Sequence, residues 1–206
     1  MTSRQEMPVQ RITLDEVVAH CDRVARHVAE SGFRPDTIVA VARGGFAPAR
    51  FLCDFLDVSR LLSLQLRHYR SGGRAESRAE VSEPLSGEIA GRRVLLVDDV
   101  NDSGDTLAAA LPYLEDFRPA ELRTAVLHEK ANTAHRADFH SGFVEEWRWL
   151  LYPWAVVEDA GQFLREMDPC PTSVEAARQR LEAAHGLVLS GSEIERVLFY
   201  NGIRPA

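Results

Sequence analysis

With 206 residues, 45% of them apolar and 27% charged, the chain has the size and balance of one soluble globular domain with room for an appendage. Its net charge of −7 disfavours non-specific binding to nucleic acid, and no apolar run approaches the ~20 residues of a membrane span, so neither partner is expected. Cys21, Cys53 and Cys170 form no CxxC pair and no disulfide framework, and MTSRQEMPVQ lacks an apolar signal core, so a reducing, cytoplasmic setting is expected.

Thr13-Leu14-Asp15-Glu16 fits a capping box, and Val17, Cys21, Val24, Ala25 and Val28 then recur at helical spacing until Gly32 and Pro35. TIVAVA, residues 37–42, reads as a strand buried on both faces; Arg43-Gly44-Gly45 breaks it, and a helix carries Phe51, Leu52, Phe55 and Leu56. Leu61 to Leu66 is a further strand. Residues 70–88 are polar, glycine-containing and aperiodic, and read as a long mobile loop, a length that is uncommon without a function. Strands are predicted at 93–97 and 122–128, with a helix at 106–117 between them. The alternation argues for an α/β fold with a mostly parallel sheet flanked by helices.

Residues 129–158 hold all three tryptophans and few helix signals, and read as irregular with one or two short strands. Pro169-Cys170-Pro171 reads as a rigid linker. Thr172 to Glu175 and Ser190 to Glu193 are two further capping boxes, each opening an amphipathic helix. Residues 1–160 are therefore expected as the main domain and 161–206 as a C-terminal helical extension.

The stretch DDVNDSG, residues 98–104, puts three carboxylates at the end of a buried strand. In open α/β sheets, ligands gather beyond the carboxyl ends of strands. Asp102-Ser103-Gly104-Asp105-Thr106 is a turn into a helix, whose N–H groups and hydroxyls can cradle a phosphate. Asp98 and Asp99 offer carboxylates to a divalent cation or to sugar hydroxyls. A sugar phosphate satisfies both halves. An EF-hand fails because Ala110 stands where the bidentate Glu belongs, no Gly precedes a Lys as a Walker loop requires, and GxGxxG is absent. Helix capping alone accounts for one acid, not three.

VLLVDDVNDSGDTL resembles the phosphoribosyl-pyrophosphate signature of the type I phosphoribosyltransferases, and VAVARGGFAPARFLCDFL is similar to their pyrophosphate-binding loop and following helix. The likeness extends through LHEK and WRWLLYPW, covers about residues 37–158, and is greatest to bacterial and archaeal enzymes acting on xanthine, guanine or hypoxanthine. It implies a type I phosphoribosyltransferase fold with a small hood, and purine salvage as the activity: a 6-oxopurine displaces pyrophosphate from phosphoribosyl pyrophosphate with Mg²⁺ as cofactor.

The resemblance also implies roles. Asp98 and Asp99 would meet the ribose hydroxyls, directly or through Mg²⁺, and Asp102 would be the general base near the purine N7. Ser103, Gly104, Asp105 and Thr106 would hold the 5′-phosphate, with the Asp105 carboxylate turned away. Arg43, Gly44 and Gly45 would receive pyrophosphate, with Ala42–Arg43 the candidate cis peptide. Loop 68–87 would be the closing hood, with Tyr69 at its start and Arg70, Arg74 or Arg78 reaching phosphate. Lys130, the only lysine, would donate to the oxygen at C6. In the base-binding segment 129–158, Trp149 would stack on the purine, with backbone carbonyls nearby, Leu150 among them, reading the C2 substituent; Trp147 and Trp154 read as packing. His128, His135 and His140 do not match zinc spacings and read as structural or surface residues, and Glu158-Asp159 as a helix N-terminal charge pair.

Two other readings stay open. One is a regulator using the same fold to sense phosphoribosyl pyrophosphate; its C-terminal helices are poor in the basic residues a recognition helix needs. The other is a phosphoribosyltransferase for a different base. A homodimer or higher homo-oligomer is expected.

Overall fold

The computed structural model describes residues 7–70 and 77–203, without the side chains of residues 68–70, 77 and 78. The elements in the first half are β1 (Val9–Arg11), α1 (Leu14–Glu30), β2 (Thr37–Ala42), α2 (Phe46–Phe55), β3 (Leu61–Arg70), β4 (Ser77–Glu83) and β5 (Arg93–Asn101). There follow α3 (Asp105–Glu115), β6 (Glu121–Lys130), β7 (Phe139–Val144), β8 (Trp149–Leu151), α4 (Val156–Glu166), α5 (Val174–His185) and α6 (Gly191–Tyr200).

Two compact units result: Asp15–Trp147, and Met1–Leu14 together with Arg148–Ala206. The first is the α/β unit. Its six-stranded sheet runs β4-β3-β2-β5-β6-β7, parallel throughout except for β4, which is antiparallel to β3. The central strands are buried apolar runs with no polar face, as a sheet covered on both sides requires: Ile38, Val39 and Ala40 in β2, and Val94 to Val97 in β5, are fully buried. Leu107, Ala110 and Leu114 of α3 pack into one core with Val39, Val41, Leu64, Leu66, Leu96 and Val126. From β2 the chain continues outward to β3 and then to β4; from β5 it continues the other way to β6 and β7. The order reverses between β2 and β5, and a cleft opens at the carboxyl ends of strands at such a reversal.

Three expectations need correction. Residues 70–88 are not one long loop: β3 continues to Arg70, and β4 pairs with it from Arg70↔Ser77 to Gln65↔Glu83. Ala79 and Val81 alternate with charged and hydroxyl residues in SRAEVSE, a period-2 pattern that the polar composition obscures. Tyr69, Arg70, Arg74 and Arg78, the hood candidates, have side chains outside the described residues. β5 does not stop at Val97 but carries Asp98 to Asn101 on the strand, with Asp98 paired to Val126 and Asn101 to Glu129. Finally, Ser173 rather than Thr172 caps α5, by accepting from the Ala176 N–H, whereas Ser190 and Glu193 form the reciprocal box expected for α6.

The second unit is built from both ends of the chain. β1, absent from the sequence reading, lies parallel to β8, with Val9 opposite Trp149 and Arg11 opposite Leu151. α4, α5 and α6 pack with Leu151 of β8 in a core that includes Ala160, Phe163, Leu164, Ala177, Leu181, Ile194, Val197 and Leu198. A side chain at Gly161 would collide with Asn201, whose amide donates to the Val157 and Val197 carbonyls at 2.8 Å each and so ties α4 to α6. The border expected at residues 160/161 falls inside α4.

Candidate active site

The loops after β2, β5 and β6 converge because these strands are neighbours. After β2, the Ala42–Arg43 peptide is cis. A Cβ on Gly44 would land on the Asp99 carboxylate, and one on Gly45 would meet the carbonyl oxygens of Val97 and Val41. Only glycine lets the Arg43-Gly44-Gly45 backbone approach β5 this closely. The proposed pyrophosphate loop and the acidic pair therefore touch.

Asp98 is buried, and its Oδ1 accepts the Asp99 N–H at 2.9 Å. Burial and the neighbouring Asp99 carboxylate push the Asp98 carboxyl well above the ordinary range, against the pull of that one N–H. Beyond it, Ser103 is exposed, and Gly104 takes φ +93°, a left-handed turn into α3. A Cβ there would strike His135 N at 2.6 Å and Thr133 Oγ1 at 2.9 Å. Asp105 opens α3, Thr106 follows it, and the Asp105 N–H donates to Ser103 Oγ at 3.4 Å. Asp105 lines a cavity of about 490 Å³ with Ala79, Glu80, Val81, Ala108, Ala109 and Pro112, between α3 and β4.

Asp102 is the focus. Lys130, at the end of β6 with its side chain 3% exposed, donates from Nζ to Asp102 Oδ2 at 2.6 Å. Asn132 Nδ2 donates to Oδ1 at 3.1 Å, and the Trp147 indole N–H reaches the two oxygens at 3.2 and 3.3 Å. Lys130 Nζ also lies 4.6 Å from the centroid of the Trp147 ring, within cation–π range. Asn132 was not singled out in the sequence, and Trp147 was read as packing. Only the clustering of polar and aromatic residues after β6 hinted at them.

Trp149 and Leu150 belong to the other unit. There Trp149 Nε1 donates to Asp159 Oδ2 at 2.7 Å, and its ring meets Phe163 edge-on at 6.4 Å. Leu150 is buried in β8. Asp159, in the first turn of α4 as expected, thus also holds an indole.

Behind the Asp102 loop lies a buried carboxylate that the sequence reading passed over. Glu129, 1% exposed, accepts from Ala137 N at 2.8 Å, Arg136 Nη1 at 3.0 Å and Asn101 Nδ2 at 3.2 Å. Burial raises its carboxyl, but these three hydrogen bonds together outweigh that and hold it below the usual range. Beside it on β6, the His128 ring meets that of His20 of α1 at 4.2 Å, tilted by 55°, and His20 Nδ1 lies 2.8 Å from Ser141 Oγ. Burial, with His20 and Arg23 beside it, pulls His128 down to about 3. Among the described residues, no group of three or more His, Cys, Asp or Glu could hold a metal by itself.

A family model described as "Phosphoribosyl transferase domain" matches residues 12–157. The chain belongs to the phosphoribosyl transferase family. Members of the family named among its relatives are pentosyltransferases. The xanthine-guanine phosphoribosyltransferase of Ruegeria sp. (strain TM1040) is 30% identical over 153 residues, 69% of this chain and 83% of that one. The bifunctional protein PyrR of Roseiflexus sp. (strain RS-1) is 32% identical over 142 residues, 63% of this chain and 78% of that one. Among solved structures, the purine phosphoribosyltransferase of Pyrococcus horikoshii Ot3 superposes with a TM-score of 0.63 at 29% identity, covering 72% of this chain and 94% of that one. The fold is that of the type I phosphoribosyltransferases, with the parallel sheet and the reversal between β2 and β5 at its centre. No helix among the described residues is long and apolar enough to cross a membrane.

Proposed function

We propose that this chain is a purine salvage enzyme that transfers the 5-phosphoribosyl group from phosphoribosyl pyrophosphate to a 6-oxopurine: xanthine, guanine or hypoxanthine. The observation that carries the reading is the Lys130–Asp102 pair at the carboxyl ends of β5 and β6. A 2.6 Å contact places a cationic donor and a carboxylate acceptor side by side. A 6-oxopurine presents the complementary pair along one edge, an oxygen at C6 and a proton-bearing nitrogen at N7. Adenine, with an amine at C6, would set donor against donor.

In the reaction the bond from the anomeric carbon to pyrophosphate breaks, the bond from that carbon to the purine nitrogen forms, and the purine proton leaves. Asp102 would accept that proton, while Lys130 would hold the C6 oxygen. Arg43 and the Gly44 and Gly45 amides would receive the pyrophosphate, a planar guanidinium suiting it well. Ser103 to Thr106 would bind the 5′-phosphate at the start of α3. Asp98 and Asp99 would face the ribose hydroxyls and a Mg²⁺ ion. Their chemistry fits: two adjacent carboxylates, one with its carboxyl raised by burial and by the charge of the other, gain from a shared cation, and Mg²⁺ needs only one or two protein carboxylates. When bound, Mg²⁺ would supply charge neutralisation to the departing pyrophosphate.

Purified protein with Mg²⁺ should turn over at least one of the three bases, and competition among them would rank the preference. No turnover of any would sink the reading. Asp102→Asn should lower turnover far more than it weakens binding of phosphoribosyl pyrophosphate; equal losses would remove Asp102 as the base. The relative named bifunctional protein PyrR keeps the regulator reading in view. Against it, α6 presents Glu193, Glu195 and a single arginine, Arg196, and a gel shift with salt-sensitive, sequence-specific binding would be needed to restore it.

A further inference from the structure

We infer that Glu129 is a positioning residue: its buried carboxylate fixes the end of β5 and the 131–137 segment together, and so sets the shape of the Asp102-Ser103-Gly104 turn. The inference rests on the functional reading above only for what that turn binds.

Asn101 and Glu129 are register partners on adjacent strands, so their side chains lie side by side. Asn101, 3% exposed, uses one amide nitrogen for both Glu129 Oε2 and the His135 carbonyl, the latter at 2.7 Å. Ala137 N and Arg136 Nη1 approach the same carboxylate from the far end of the segment. All three donors thus meet on one anion, and each belongs to a piece of chain that touches the turn. Asn101 immediately precedes it. The segment grips it from outside: Ala134 N donates to the Ser103 carbonyl at 2.9 Å, and His135 and Thr133, tied to each other by a 3.0 Å hydrogen bond, leave no room for a Cβ at Gly104. Asn132, which holds Asp102, is on the same segment.

A buried carboxylate is kept only where its hydrogen bonds offset its desolvation. Here they do, and the same bonds dictate geometry. Ala137 N and Asn101 Nδ2 both donate to Oε2, and Arg136 alone donates to Oε1, so Glu129→Gln can turn its NH2 to Arg136 and keep the other two bonds, whereas Glu129→Leu takes the acceptor from all three donors. Arg136 is largely exposed and can swing into water, with its guanidinium already 5.4 Å from the Phe143 ring. The other two are not free to do so.

Two measurements on this chain test the assignment. In amide hydrogen exchange on Glu129→Leu, residues 101–106 and 131–137 should exchange at least about tenfold faster while β2 amides keep wild-type protection. In calorimetric titration with phosphoribosyl pyrophosphate and Mg²⁺, affinity should fall about tenfold or more, and the KM for that substrate should rise more than kcat falls. Arg136→Ala, an exposed change that keeps the fold, should move both readouts the same way by less. Wild-type exchange in the turn and segment of both variants would overturn the inference whatever the chain binds. Selective loosening with no phosphoribosyl pyrophosphate binding by the wild type would support Glu129 as the positioning group and overturn the functional reading instead.

Discussion

The Lys130 ammonium, 3% exposed, donates to the Asp102 carboxylate at 2.6 Å, while Asp102 itself is 39% exposed. The pair is lopsided, and so are the consequences of cutting it. Asp102→Ala leaves a buried ammonium without its anion and should destabilise the chain by about 1–3 kcal/mol. Lys130→Met removes the buried charge and leaves a carboxylate that water can reach, so its cost should be clearly smaller. Urea unfolding of both variants checks the order; equal costs would show that the pair does not act as described.

The two glycines after β2 should fail differently. A Cβ at Gly44 meets the Asp99 side chain, which can move aside; one at Gly45 meets backbone carbonyls of β2 and β5, which cannot. Gly44→Ala should therefore keep most of its thermal stability and lose phosphoribosyl transfer, because Asp99 is displaced. Gly45→Ala should lose stability by about 1–3 kcal/mol, as overpacked sites do. A thermal melt beside an activity assay separates the two, and a Gly44→Ala variant of normal activity would contradict the account.

Acid should weaken the α1–β6 contact through His128. Its folded pKa, about 3, lies below the unfolded value of about 6.5. The unfolded chain therefore binds the extra proton between those values. The stabilisation is complete above the unfolded pKa and is lost as pH falls toward the folded one, at about 1.4 kcal/mol per pH unit. Asp98 works the other way, since its raised carboxyl favours the folded state as pH falls. The comparison must thus be made by difference: His128→Asn should flatten the decline in stability between pH 6.5 and 4 relative to wild type. An unchanged slope would exclude His128 as its source.

Thiol chemistry offers a simpler check. Burial pushes Cys21 up to about 12 and raises Cys53 as well, whereas Cys170 is only half-buried in the linker before α5. A disulfide reagent at pH 8 should modify one thiol quickly, Cys170, and the other two only on unfolding. Fast modification of two or three, located by peptide mass mapping, would mean that α1 or α2 opens readily.

The sequence carried the parts of the site that are local. DDVNDSG and ARGG are contiguous stretches, so each could be singled out as a candidate without knowing its neighbours. What surrounds Asp102 could not. Asn132 and Trp147 reach it from 30 and 45 residues away, and nothing in EEWRW distinguishes an indole that meets a carboxylate from one that packs. Glu129 has a signal, a charged residue at the end of an apolar strand, but the letters do not separate it from an exposed strand-end acid. β4 was hidden for a different reason: a strand with one polar face, rich in Glu, Ser and Arg, has the composition of a loop, and only its alternation betrays it.

The pairing of β1 with β8 bears on the order in which the chain can fold as it is made. Residues 15–147 form a compact unit whose strands all find partners within that span. β1 leaves the ribosome first, yet its partner emerges only after that unit is complete, and the α4–α6 core that accompanies it later still. Vectorial synthesis therefore lets the sheet of Asp15–Trp147 form early and keeps β1 waiting for β8.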